Sequence, residues 1–164
     1  MTGPKAVSIT RIFAGDDGQS HFEELSVPLE EFFGHPAPTI AGRSIGFMAG
    51  LPATEMSFRV TPPGGDHPFH FSPGRSLQVT VQGVLELEVG DGSTRRFGPG
   101  DFLLLDEQGS GQGHMSREIE PRVTVNIEIP TSVDLAPFRM AGKHDDMAGK
   151  HDDHDKQDDH ERNI

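Results

Sequence analysis

The sequence predicts an all-β domain, and three observations carry that prediction. Glycine and proline are frequent, with 20 and 13 copies, and they punctuate short apolar runs. Apolar and polar residues alternate strictly in several of those runs, the period of a strand with two unlike faces. An Asp-Gly pair at 91–92 sits between two such runs, where a tight hairpin turn needs positive φ.

Taken in order, strands are expected at about 7–13, 44–50, 55–61, 76–82, 84–89, 93–97, 101–105, 113–118 and 122–129. The densest series is "LQVTVQGVLELEVGDGSTRRFGPGDFLLLDE". Leu77, Val79 and Val81 alternate with Gln78, Thr80 and Gln82, and Gly83 permits a turn. Leu85, Leu87 and Val89 then alternate with Glu86 and Glu88, which read as a solvated face. "FGPGD" turns the chain into the strand at Phe102 to Leu105, and "RVTVNIEI" alternates again. "SVPLEEFF" reads as a short helical turn, which Pro28 keeps from extending.

A chain of 164 residues fits one domain with a real core, so neither disulfides nor a structural metal are needed to fold it. No cysteine is present, which removes disulfides, Cys-based zinc sites and thiol catalysis. The opening "MTGPKAVSITRIFAG" lacks the apolar stretch of a signal peptide, and no run is long enough to cross a membrane. The expected location is therefore cytoplasmic. The net charge of −12 would repel a phosphate backbone, so nucleic acid is not an expected partner.

The domain is expected to span residues 1–138, followed by a disordered tail over 139–164. There "MAGKHDD" occurs twice in succession, and almost nothing apolar is available to form a core. The tail carries five basic and eight acidic residues, a net of −3, which leaves −9 on the body. His144, His151, His154 and His160 lie among its aspartates. They read either as a solvated tail or as a loose nickel- or zinc-chelating arm.

The candidate site centres on "HPFHFSPGRSLQVTVQG", His67 to Gly83. Gly64, His70, Ser72, Ser76 and Gly83 fall on the spacing G-x5-H-x-H-x3-E-x6-G, and "FGPGDFLLLDEQGSGQGH" supplies a proline-glycine turn and then His114. On these motifs, and on the longer run from "LPATEMSFRV" to "GHMSR" with "SHFEEL" before it, the chain resembles small bacterial members of the cupin superfamily over most of residues 18–130. The resemblance implies a double-stranded β-helix, a jelly-roll barrel of antiparallel sheets with a ligand cavity between them. It also implies a homodimer formed through the N-terminal strands. Cupins normally hold a metal on three imidazoles and a carboxylate. Here Ser72 replaces the second histidine and Ser76 the glutamate.

Two readings of the site stay open. In the first, His70 and His114 exchange protons with a small-molecule substrate, since imidazole titrates near neutral pH. The enzyme would be a cyclase, isomerase or lyase without tight metal dependence, with Arg59, Ser72, Ser76, Gln78 and Thr80 lining the substrate site. Arg59 would grip a carboxylate or else form an ion pair. In the second, His70 and His114 recruit a third ligand, His67, to hold Fe, Mn, Ni or Zn in a dioxygenase. His67 lies three residues from His70, and on a regular strand that odd spacing points the two side chains to opposite faces unless Pro68 bends the backbone. A non-catalytic small-molecule binder is the third possibility. Asp106 and Glu107 read as a polar loop, His21 and His35 as surface residues. Met48, Met56, Phe47 and Phe58 read as core or pocket wall.

Overall fold

The computed structural model describes residues 6–31, 46–47, 50–109 and 111–140. His35, Met48 and the repeat-bearing tail from 141 onward lie outside the described residues, as do most of the positions in the strand expected at 44–50.

Twelve strands and one short 3-10 turn make up the described chain: β1 (Ala6–Ala14), β2 (Ser20–Pro28), β3 (Glu30–Glu31), β4 (Gly46–Phe47), β5 (Glu55–Thr61), β6 (His67–His70), β7 (Ser76–Gln82), β8 (Leu85–Val89), β9 (Thr94–Phe97), β10 (Phe102–Asp106), β11 (His114–Glu118), β12 (Arg122–Glu128) and the turn Ala136–Phe138. A six-stranded sheet in the order β2-β1-β10-β7-β12-β5 faces a four-stranded one in the order β6-β11-β8-β9, and β3 pairs with β4 alone. The all-β, double-sheeted jelly-roll class holds. The two sheets remain a sandwich and do not close into a barrel. Pairing is antiparallel throughout except for β1 and β10, which run parallel. No helix among the described residues is long and apolar enough to cross a membrane.

Three strands differ from the sequence expectation, one of them the two-residue β3 at Glu30–Glu31, where a helical turn was expected. Ser20–Pro28 is a full strand, not the prelude to a helical turn, and it pairs with β1 from Ala6↔Pro28 to Ala14↔Ser20. It is an edge strand, so Pro28 at its end withholds no ladder hydrogen bond that another strand requires. His67–His70 is also an edge strand, too short and too broken by Pro68 to register as alternation.

Apolar side chains pack in two clusters. One lies between the sheets and contains Ile12, Leu85, Leu87, Val89, Phe97, Leu103 and Leu105, with Phe22 against it. Burying each such aliphatic side chain stabilises the fold by about 2 kcal/mol. The other contains Ile9, Leu25, Val27, Leu104, Ile129 and Leu135, with Val133 and Phe138 packed on it. The C-terminal segment thus covers part of the outer face of the larger sheet. Arg75 fastens that segment by donating to the Val133 carbonyl at 2.8 Å. Arg139, assigned by sequence to the tail, forms a β-bridge with Leu25 and an ion pair with Glu23, so the ordered body runs past Phe138.

On β7 and β12 the usual pattern is inverted. Ser76, Gln78 and Thr80 are buried on β7, and Arg122, Thr124 and Asn126 on β12, while Leu77, Val79, Val123, Val125 and Ile127 face outward. Burying polar groups is costly unless they find partners. Two adjacent strands that both do so build a polar chamber into one half of the sandwich.

Candidate active site

A cavity of about 400 Å³ opens at this polar half. Its lining includes His67, His70 and Ser72 from β6 and the turn after it, and Ser76 and Gln78 from β7. His114, Ser116 and Glu118 come from β11, Arg122 and Glu128 from β12, and Arg59 from β5. Leu85, Leu87, Leu103 and Leu105 close it against the apolar core.

Strand pairing sets the two motif histidines side by side. His114 of β11 is directly opposite His70 of β6, and their ring centroids are 4.4 Å apart at 57°. The register then shifts, so that His67 pairs with Ser116. This bulge on β6, at the "HPFH" that contains Pro68, inserts one residue and overrides the odd spacing. His67 therefore lines the same cavity, with its ring 5.8 Å from that of His70. The close approach depends on Gly113, which has φ +76; a Cβ there would stand 2.2 Å from the His70 carbonyl oxygen.

Glu107 is the residue that sequence reasoning misplaced. Instead of a polar loop position it is fully buried, at 0 % exposure. Its Oε1 accepts from His114 Nδ1–H at 2.7 Å and from the Ser72 backbone N–H at 3.1 Å. Its Oε2 is buried with no hydrogen-bond partner. The neighbouring Asp106 explains why the carboxylate cannot swing away. Asp106 accepts from Arg11 Nε at 2.8 Å and Arg75 Nε at 2.6 Å, on the opposite side of the chain. The end of β10 is clamped from behind, and Glu107 is held inward.

These contacts engage Nδ1 of both imidazoles. Nδ1 of His114 faces the Glu107 carboxyl, so Nε2 is its remaining ring nitrogen. His70 Nδ1 donates to the Pro68 carbonyl at 2.8 Å, so Nε2 is likewise its remaining ring nitrogen. Two imidazoles, each with Nδ1 engaged, thus share one cavity.

The other wall is a buried ion pair. Arg122 binds Glu118 through both oxygens, at 2.9 and 2.8 Å, and its Nη1 donates to Gln78 Oε1 at 3.2 Å. Glu118, Arg122, Ser116 and Glu128 were not singled out in the sequence, although the shared parity of Arg122, Thr124 and Asn126 was legible in "RVTVNIEI". Ser72 lines the cavity, but its hydroxyl donates to the Gly74 carbonyl at 2.7 Å. Thr80 is buried on the same face of β7 and stands outside the cavity lining. Arg59 is exposed and lines the cavity from the edge strand. Among the described residues no group of three or more His, Asp or Glu side chains is arranged to hold a metal ion.

No protein-family model matches the chain. No curated protein matches it. Among solved structures, a conserved protein of unknown function from Streptococcus pyogenes is similar at 18% identity and a TM-score of 0.36, over 49% of this chain and 70% of that one. A likeness so distant carries nothing about this chain's chemistry, which rests on the site's own geometry.

Proposed function

We propose that the chain is a cupin-like enzyme that moves a proton on a small polar organic molecule, as an isomerase, lyase or cyclase does, with His114 as the base. The observation that carries this reading is the buried Glu107–His114 hydrogen bond at 2.7 Å, at the cavity wall. A carboxylate behind an imidazole fixes the tautomer, turns Nε2 towards substrate, and stabilises the imidazolium formed when Nε2 takes a proton. His70, 4.4 Å away, is placed to deliver or accept the proton at a second atom of the substrate. Gln78 and Ser76 offer polar contacts for orientation, and the leucines beside them seat an apolar part of the molecule.

The metal-dependent alternative has one feature in its favour. A carboxylate–histidine pair is also how proteins orient a metal-ligating imidazole, and Nε2 of His70 and of His114 are both free. The donor set does not fit a tightly held divalent ion: His67, His70 and His114 all line the cavity, but among the described residues no three His, Asp or Glu side chains are arranged around one point, and serines stand where the usual second imidazole and carboxylate would be.

Proton transfer at carbon leaves a signature that binding alone does not. The protein is incubated in D2O with a panel of small carbonyl and hydroxy acids, and ligand binding and deuterium uptake are followed together by NMR. A bound compound should exchange a C–H proton with wild type, and should still bind to His114→Gln without exchange. Binding without exchange in the wild type across every compound that binds would leave a binding protein and end the catalytic reading.

A further inference from the structure

We infer that Gln78 selects a substrate bearing a carbonyl group, donating from Nε2–H to the carbonyl oxygen across the cavity from His114. This rests on the cavity being the substrate site proposed above, with His114 as base, and names the class of molecule it takes. Gln78 is 7% exposed on β7 of the larger sheet, while His70 and His114 stand on β6 and β11 of the smaller one. A molecule in the cavity between them is met by imidazole from one sheet and by an amide from the other.

Arg122 decides which end of that amide the molecule meets. A guanidinium donates and never accepts, so the Gln78 atom 3.2 Å from Arg122 Nη1 is Oε1. Arg122 is held in place, because Nε and Nη2 donate to the two oxygens of the buried Glu118. The NH2 end of Gln78 is therefore turned from Arg122. Asn126, directly opposite on β12, is occupied with Thr124, its Oδ1 and Nδ2 lying 3.5 and 3.3 Å from the Thr124 hydroxyl. Among the described residues, the sealed side-chain polar atoms without a partner are Gln19 Oε1 and Glu107 Oε2. Gln78 Nε2 is not one of them, and it keeps its access to the cavity that Gln78 lines.

The serines of the wall specify less. Ser72 spends its hydroxyl proton on the Gly74 carbonyl and keeps only acceptor capacity. The Ser76 and Ser116 hydroxyls rotate, and each can give or take. Gln78 Nε2 is a neutral donor of fixed direction, and its complement is an acceptor that carries no proton, a carbonyl oxygen. That contact strengthens as the reaction proceeds. When His114 Nε2 takes a proton from the carbon next to the carbonyl, the C–H electron pair becomes a C=C bond and the C=O π pair moves onto oxygen. The Gln78 N–H then faces an enolate oxygen, and reprotonation at carbon restores the carbonyl and the free base. The substrate class is a small enolisable carbonyl compound.

The test uses the full chain and matched probes of one skeleton, pyruvate with lactate and cyclohexanone with cyclohexanol, with binding followed by NMR. A carbonyl member should bind the wild type and shift the Gln78 side-chain NH2 resonances, which are identified by their loss in Gln78→Glu. Gln78→Glu still accepts from Arg122 but turns an acceptor to the cavity. It should weaken the carbonyl member about tenfold and hold the alcohol, whose hydroxyl can donate to the carboxylate. Gln78→Met deletes the donor at similar volume, should give the same loss, and serves where the carboxylate variant does not fold. Binding of no carbonyl member by the wild type would overturn the inference, and so would carbonyl binding indifferent to the Gln78 variants. Carbonyl binding that depends on Gln78, in a protein that exchanges no C–H proton, would remove His114 as the base and leave Gln78 as the selector. Exchange abolished by His114→Gln, with binding indifferent to Gln78, would do the reverse.

Discussion

Glu107 and His114 lie seven positions apart in the chain, across a turn and loop, yet Glu107 Oε1 lies 2.7 Å from His114 Nδ1, with both side chains buried. The second carboxylate oxygen has no hydrogen-bond partner. An unpaired buried acceptor costs about 1–3 kcal/mol. The proposed role of orienting the His114 imidazole would account for that cost.

Glu107→Gln tests that directly. The amide oxygen can still accept from His114 and Ser72, while a buried charge is removed, so denaturant unfolding should show stability unchanged or raised. Deuterium exchange of a bound substrate should nonetheless fall about 100-fold. A large loss of stability with exchange intact would make Glu107 a structural residue.

Gly113 should be indispensable for a reason that is local and geometric. Alanine at φ +76, with a Cβ 2.2 Å from the His70 carbonyl oxygen, must push β6 away from β11. Gly113→Ala should cost about 3 kcal/mol by chemical denaturation, combining left-handed strain with overpacking. Gly92 has φ +83 with nothing near its missing Cβ. There the same change should cost only about 1 kcal/mol, the backbone share alone. Equal costs at the two sites would remove the steric account of how the histidines are brought together.

His21 links the β1–β2 and β8–β9 hairpins, with Asp17 at 3.0 Å and Asp91 at 2.8 Å. Burial, the largest single influence, lowers the pKa of its imidazole. The hydrogen bonds and charges of Asp17 and Asp91 outweigh it and hold the pKa above its ordinary 6.5. The bond from His21 in turn holds the Asp17 carboxyl below its ordinary 3.8. A raised imidazole contributes stability that is fully present below pH 6.5 and fades as pH climbs through the folded-state value. The depressed carboxylate contributes stability that is present above 3.8 and fades in acid. The urea midpoint of wild type relative to His21→Gln should therefore be most favourable at about pH 5–6 and smallest at about pH 9. A gap that widens with alkaline pH would contradict the pairing.

The fold class was legible because alternation in β7, β8 and β12 is strict, and the Asp-Gly turn between β8 and β9 is unambiguous chemistry. β2 was not legible, because its proline and paired glutamates resemble a helix start until its edge position is known. In the site, His70, His114, Ser72, Ser76 and Gln78 came from spacing, and the cavity brings them together. Glu107 did not, since nothing in "LLLDEQG" distinguishes an inward carboxylate from a solvated one. That distinction depends on Arg11 and Arg75, distant in sequence, holding Asp106 on the other side. Met56 and Phe58, expected in the core or pocket wall, are exposed, because parity fixes a face without saying whether another layer covers it.

The tail boundary yields a further expectation. Because Arg139 bridges to Leu25 and pairs with Glu23, a chain ending at Met140 should keep the full-length thermal midpoint. A chain ending at Phe138 should lose about 1 kcal/mol. Identical midpoints for the two truncations would show that the bridge contributes nothing.

The Glu118–Arg122 pair should respond asymmetrically to single and double changes. Both side chains are buried, and Arg122 spends Nε and Nη2 on Glu118 and Nη1 on Gln78. Glu118→Gln leaves the guanidinium without a counter-charge in a low-dielectric wall, and should cost about 3–5 kcal/mol. Glu118→Leu combined with Arg122→Met removes both charges at similar volume and should be neutral to within about 1 kcal/mol. Such a double variant would keep its fold while the chamber lost its polar wall, so polar ligands found in the D2O panel should bind it more weakly even though His114 and Glu107 are untouched. If the double variant were as unstable as the single one, the pair would be holding β11 to β12 structurally. If it bound those ligands unchanged, the polar wall would have no part in recognition.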